Sequence, residues 1–334
     1  MPRLLIALFA SLLLGACSGQ YLLNRLTPDE GEKYLVDYDQ IYDAATAQRL
    51  DVYHPRGAAK APVVVFFYGG RWSGGDKAEF KFVGQALASR GFVALLANYR
   101  LYPEVRFPAF VEDGARAVKW ARANAKRYGG DPAQLFVMGH SSGAHIAAML
   151  ALNGEYLKAV GGSRAWLKGM IGLAGPYDFM PITAPDLRDI FGPVDRFPQS
   201  QPIFFVDGKN PPLLLMHGED DDAVWVKNTR NLAASVKRAG GPVDTIIYPS
   251  LSHTMILGSM ASLLRGRADV LDQVESFILR VAKARPRAES EIKGRAVAPE
   301  DRIEGTILPE PAPIEAVPLP EPGADAPPPA TVAP

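Results

Sequence analysis

The 334-residue chain has a single cysteine, Cys17, so no disulfide can form within it and the folded part must be held by its core. Neither sign of charge is in excess. With 36 Lys+Arg against 36 Asp+Glu, there is no basic field to attract nucleic acid. The apolar run from Leu4 to Leu14 is too short to span a bilayer. Core-forming material is plentiful: 48% of residues are hydrophobic and 22% charged, which excludes a chain disordered throughout and suits a globular enzyme. The length allows one large core or two modest ones.

The two ends differ in kind from the middle. Arg3, the run Leu4 to Leu14 and the small residues Gly15 and Ala16 read as an export signal over residues 1–16. Leu14-Gly15-Ala16-Cys17 resembles the lipobox of bacterial lipoproteins. That resemblance implies that Cys17 receives lipid, palmitate included, and becomes the mature N-terminus. The protein would then be held at a membrane of the bacterial cell envelope, on the outer membrane or the periplasmic face. Residues 17–33 are read as a linker. From Pro299 to Pro334 there are 11 prolines, seven acidic residues and one arginine, too little apolar surface to offset the entropy of ordering. Residues 285–334 are therefore expected to be a disordered, Pro-rich acidic spacer.

Between the ends no repeat is found, and strand-like runs alternate with helical ones. Arg49 to Tyr53, Val63 to Phe67, Phe92 to Tyr99, Met170 to Ala174, Leu213 to His217 and Thr245 to Tyr248 read as strands. Helices are expected over Lys77 to Arg90, where Gly91 supplies the C-cap, then from Pro108 through Ala121, Asn228 to Ala239 and Ala268 to Ala282. Continuous apolar strands separated by helices imply an α/β fold over residues 34–284, with a mostly parallel sheet covered on both faces. Ligands of such sheets sit at the carboxyl ends of the strands. Residues 175–212 break the rhythm with prolines and aromatics and no strand. They read as an insertion walling the pocket.

The stretch FVMGHSSGAHIAAMLAL, Phe136 to Leu152, passes from strand to turn to small-residue helix. A serine before an apolar helical run is ordinarily an N-cap. Ser141, however, sits between Gly139 and Gly143 in the G-x-S-x-G spacing, where a sharp strand-to-helix turn leaves no room for side chains two positions either side. It is read as a nucleophile. Of the five histidines, His54 is placed on a loop, His140 lies in the turn and cannot swing onto Ser141, His145 lies behind it one helical turn on, and His217 shapes a turn with Gly218. His253, in YPSLSHTMIL, is placed on a loop just beyond the last strand and is read as the base. The acid should follow a strand between the two. There LLLMHGEDDDAV offers Asp220, Asp221 and Asp222, of which one is needed and the others fit a solvated loop or a weak cation site. Gly70 and Gly75 have P-loop spacing, but Asp76 stands where the phosphate-binding lysine belongs, so that reading is dropped.

On these residues the segment from Pro62 to Ile278 resembles the α/β-hydrolase superfamily, in its esterase and lipase branch near feruloyl/acetyl esterases, carboxylesterases and arylformamidases. The superfamily's H-G-G-x-W is Tyr68-Gly69-Gly70-Arg71-Trp72 here, with Tyr68 in place of the histidine. The resemblance implies an oxyanion hole made by the N–H groups of Gly69, Gly70 and Ser142. H-G-x-x-D-x-x-V falls on His217, Gly218, Asp221 and Val224, which chooses Asp221. Gly74-Gly75-Asp76-Lys77, Asn98-Tyr99-Arg100 and Gly175-Pro176-Tyr177-Asp178 match as well. The implied activity is cleavage of small acyl or aromatic esters through an acyl-enzyme, with Ser141, Asp221 and His253 as the triad and no metal or organic cofactor. Trp72, Tyr177, Phe179, Phe191 and Trp225 are expected to line an apolar substrate pocket. A formamide hydrolase is the enzymatic rival. A different class of function, an inactive hydrolase fold used as an envelope binding module, is disfavoured because such relatives lose the serine, the histidine or an oxyanion glycine. A prolyl-oligopeptidase-type peptidase needs a propeller domain for which the chain has no room.

Overall fold

The computed structural model describes residues 23–28 and 31–284, so the signal segment with Cys17 and the Pro-rich tail lie outside the described residues. Eight strands form one sheet: β1 (Tyr34–Asp43), β2 (Gln48–Pro55), β3 (Ala61–Phe67), β4 (Val93–Ala97), β5 (Gly130–His140), β6 (Leu167–Leu173), β7 (Leu213–Gly218) and β8 (Val243–Tyr248). Their order is β1-β2-β4-β3-β5-β6-β7-β8, with β1 and β2 antiparallel to their neighbours and all pairs from β4 to β8 parallel. The middle strands need cover on both faces, because every side chain from Val63 to Phe67 is fully buried. β1 was not foreseen. Its sequence YLVDYDQIYD mixes polar and aromatic residues, and the strand is half-exposed at the sheet edge, so it carries no continuous apolar run. His54 lies within β2 and not on a loop, its Nε2 3.0 Å from Asp37 of β1.

The covering helices are α1 (Lys81–Ser89), α2 (Ala109–Asn124), α3 (Ser142–Leu152), α4 (Gly154–Ala159), α5 (Pro185–Phe191), α6 (Lys227–Arg238), α7 (His253–Gly258) and α8 (Val270–Lys283). α1 starts four residues later than expected because Lys77–Phe80 forms a 3₁₀ turn, capped by Asp76, whose carboxylate accepts from the Ala78 N–H. α8 buries Val270, Leu271, Val274, Phe277, Ile278 and Val281, one stripe at helical spacing. α3 has no polar face at all. Every one of its residues is buried, which is why the stretch after Ser141 reads small and apolar throughout. Between β6 and β7 the chain makes α5 and two 3₁₀ turns, Val194–Ser200 and Pro202–Phe205, and no strand.

The parallel strands end nearly level: His140 pairs with Leu173, Leu173 with Met216, and Gly218 with Tyr248. One edge therefore gathers the loops after β3, β5, β7 and β8.

Candidate active site

Ser141 is the hinge between β5 and α3, held at φ 54 and ψ −124, a backbone region that a residue with a side chain seldom occupies. Its side chain makes no cap bond to the helix. Its N–H donates to the Leu173 carbonyl at 2.9 Å, which fixes the turn against β6. The flanking glycines are needed: a Cβ on Gly139 would sit 2.2 Å from the Gly143 carbonyl oxygen, and one on Gly143 would sit 2.0 Å from that of Phe67.

With the cap role unused, the Ser141 hydroxyl donates to His253 Nε2 at 2.9 Å, and His253 Nδ1–H donates to Asp221 Oδ2 at 2.8 Å. His253 is the first residue of α7 and not part of a loop. Among the three aspartates only Asp221 is buried, while Asp220 and Asp222 are exposed. Asp221 Oδ1 accepts from the Ala223 and Val224 N–H groups at 3.0 and 2.8 Å. Burial alone would raise its pKa, but the His217 and His253 rings and the Val224 N–H hold the carboxyl well below the usual carboxylate range. It stays ionised wherever the imidazole needs it.

Two further histidines touch this line of three residues. His140 Nε2–H donates to the His253 carbonyl at 2.8 Å, with the two rings 4.8 Å apart. Burial, and next the His253 ring, push His140 down to about 3. His217 Nε2 lies 3.0 Å from Asp221 Oδ2. Sequence reasoning gave both residues to turn-making, since contact with His253 or Asp221 depends on loops that meet only in the fold. His145 faces away into a cluster of Trp72, Phe107, Phe110, Phe179 and Phe191, and burial pushes it down to about 4.

Gly69, Gly70 and Ser142 all line the cleft beside Ser141, and among the described residues none of their N–H groups is engaged in a hydrogen bond. The loop after β3 is held from behind. Tyr68 is stacked between Phe80 and Tyr99, with ring centroids at 5.2 and 4.7 Å, and its carbonyl accepts the Tyr99 hydroxyl at 2.9 Å. A tyrosine thus packs where the superfamily has histidine. Gly70 has φ 147, and a Cβ there would fall 2.0 Å from the Gly74 carbonyl oxygen. Arg71 and Trp72 both take positive φ, 55 and 58, so strain is concentrated in this loop. Arg71 spans the cleft mouth to Asp186 of α5 with two hydrogen bonds, at 2.6 and 3.0 Å.

The cleft has a volume of about 580 Å³. Trp72, Phe179 and Trp225 line it, together with Met180, Leu187 and Lys227. Tyr177, expected in the same wall, is fully buried below it. Its phenol packs against Gly172 and Gly175, where a Cβ would meet it at 1.9 and 2.3 Å, and its N–H is tied to Asn228 Oδ1 at 2.9 Å. Phe191 stands one layer behind the wall, 4.8 Å from Trp72. Trp225 is 63% exposed at the rim, with the Lys227 ammonium 4.8 Å above its ring.

A serine hydroxyl bonded to an imidazole, the imidazole bonded to a buried carboxylate, and unengaged N–H groups at one strand edge form an arrangement able to support acyl transfer. Comparison with known proteins agrees in kind. Residues 50–236, more than half of the chain, match the BD-FAE family. A probable isoprenylcysteine alpha-carbonyl methylesterase of Oryza sativa subsp. japonica is 30% identical over 282 residues, covering 77% of this chain and 68% of the plant protein. The esterase LipC of Mycobacterium tuberculosis is 30% identical over 234 residues, covering 64% of this chain and 58% of its own. Across such curated relatives, the chain spans from 50% to 68% of their length. Among solved structures, a hyperthermophilic esterase of Pyrobaculum calidifontis superposes with a TM-score of 0.68 at 26% identity, over 80% of this chain and 92% of that one. A truncated carbohydrate esterase from gut microbiota, at 22% identity and a TM-score of 0.66, shares the fold.

Proposed function

The chain belongs to the BD-FAE family, with carboxylic ester hydrolases among its relatives, and from that premise we propose that it is a serine hydrolase cleaving esters of small acyl or aromatic acids. The observation that carries this reading is the unbroken line Ser141 Oγ to His253 Nε2 at 2.9 Å and His253 Nδ1 to Asp221 Oδ2 at 2.8 Å. In the proposed reaction His253 takes the Ser141 proton as Oγ attacks the ester carbonyl carbon. Asp221 holds the Nδ1–H tautomer and stabilises the imidazolium. The oxyanion is met by the free N–H groups of Gly69, Gly70 and Ser142, each such donor being worth about 10² to 10³ in turnover. His253 then gives its proton to the departing alkoxide, and water, activated by the same ring, releases the acid.

The relatives' printed activities are those of a probable isoprenylcysteine alpha-carbonyl methylesterase, an esterase and a probable carboxylic ester hydrolase, so the ester bond is the shared feature. The test is hydrolysis of p-nitrophenyl acetate, butyrate and octanoate by the protein and by Ser141→Ala. Activity abolished by the substitution is the expected result. Hydrolysis that survives it overturns the serine mechanism. No turnover of any ester, with turnover of N-formylkynurenine, would transfer the reading to a formamide hydrolase.

A further inference from the structure

Asp221 is gripped from two sides, and only one of its two histidine neighbours is part of the triad just proposed. His217, the penultimate residue of β7, is fully buried, as is the Asp221 carboxylate. Its Nε2 lies 2.7 Å from the Val224 carbonyl oxygen and 3.0 Å from Asp221 Oδ2. Both neighbours can only accept, so Nε2 carries the proton. Nδ1 is then the acceptor for the Thr229 hydroxyl of α6, at 2.8 Å. The contacts close a ring: His217 holds the Val224 carbonyl, the Val224 N–H holds Asp221 Oδ1 at 2.8 Å, and Oδ2 lies within reach of both His217 and His253. A carboxylate held at both oxygens cannot rotate away from the imidazole.

We propose that His217, oriented by Thr229, is a positioning residue of this hydrolase: it fixes the Asp221 carboxylate and draws part of its charge away from His253. The inference rests on the serine-hydrolase reading and deepens it. Two consequences separate it from a packing role at the end of β7. The first is steric freedom: without the N–H, the loop from Glu219 to Val224 loses its internal tie and Asp221 samples orientations that do not hold His253. The second is electrostatic. With the His217 N–H dipole gone from 3.0 Å beside Oδ2, more of the negative charge faces His253, and its imidazolium is stabilised. The ring must lose its proton to act as base, so the acid limb of the rate profile moves to higher pH. Among the described residues, the other titratable group against His253 is His140 from the end of β5. Lys227 of α6 lines the same cleft, and Asp220 and Asp222 are exposed beside the loop.

The experiment compares His217→Phe and His217→Gln in the full chain, on p-nitrophenyl butyrate, with Thr229→Val as a third variant. Phe keeps the ring volume and removes the donor. Gln loses ring packing but brings an N–H₂ with two hydrogens for the same two oxygens. Positioning predicts the order wild type, then Gln, then Phe, with kcat of the Phe variant down by roughly 10- to 100-fold and KM within about twofold. The acid limb of kcat/KM should rise by about half a pH unit in the Phe variant and stay put in the Gln variant. Thr229→Val should move both quantities in the Phe direction by less. Phe equal to or better than Gln, with an unshifted acid limb and native circular dichroism in both, overturns the proposal. If wild type hydrolyses the ester and Ser141→Ala does so equally, it is the underlying serine reading that has failed instead.

Discussion

At His145 and His140 burial has a thermodynamic consequence for stability against acid. Both rings sit far below the ordinary value of 6.5, at about 4 and about 3. An unfolded chain would protonate them near 6.5 while the folded chain does not. Below that pH the unfolded state binds more protons, so stability is complete above pH 6.5 and drains away as pH falls toward 4. Asp221 acts later: its depressed carboxyl adds stability above its unfolded value of 3.8 that is lost only below it. The midpoint of thermal unfolding should therefore already decline as pH falls from 6.5 toward 5, above the range in which the depressed carboxylates begin to take up protons. In His145→Phe, whose ring suits the surrounding aromatics, that decline should be shallower. An identical slope in differential scanning calorimetry would contradict the assignment of His145 as a buried neutral ring.

The segment between β6 and β7 sets the shape of the cleft. α5 supplies Leu187 to the lining and Asp186 to the clasp on Arg71, an exposed ion pair that contributes about 0–1 kcal/mol and so guides the wall more than it stabilises it. Behind the wall lies a second cavity of about 400 Å³, lined by Phe107, Tyr156, Phe191, Arg196 and Phe205 among others. Phe191 is the ring between the two spaces. It touches Trp72 and Phe179, which line the cleft, and also faces the second cavity. Truncating it should join the spaces and raise kcat/KM for the octanoate ester relative to acetate. Phe191→Ala carries a stability cost of about 3–5 kcal/mol, so Phe191→Leu serves beside it. An unchanged octanoate-to-acetate ratio in both folded variants would show that acyl chains do not approach this wall. At this scale the sequence revealed the helices with clear stripes, such as α8, and the strands that are apolar throughout. It did not reveal β1, whose edge position leaves no pattern, or α7, a six-residue helix in which no period can be read.

Across the whole molecule, the sheet's antiparallel corner is fastened to its neighbouring elements by buried charge. Asp113 of α2 has no exposure, yet its carboxylate accepts from the backbone N–H and guanidinium of Arg100 just after β4, and also pairs with Arg116, which reaches Asp43 of β1 at 2.8 Å. Lys77, buried at the start of the 3₁₀ turn before α1, is likewise held between Asp39 and Asp51 at 2.8 Å each. Removing one partner of such a network strands the others without compensation. Asp113→Ala should cost about 3–5 kcal/mol in urea unfolding, against about 0–1 for breaking the exposed Arg71–Asp186 pair through Asp186→Ala. Equal losses from the two would show that burial of Asp113 carries no special weight.

The amino-acid sequence by itself determined the alternation of strands and helices, the strained turn at Ser141, and the order of serine, aspartate and histidine along the chain. Each is written in neighbouring residues: a glycine two positions away, an apolar run, a cap. It also offered Asp221 through the spacing of a resemblance, without showing why Asp220 and Asp222 differ from it. The tertiary structure decided that by burying one carboxylate and leaving two in water. It alone brought His253 to Ser141 across 112 positions and His140 to the His253 carbonyl across 113, and it sent Tyr177 beneath the pocket it was expected to line. Those outcomes depend on which loops share an edge of the sheet. Strand order sets that, and no local stretch of chain encodes it.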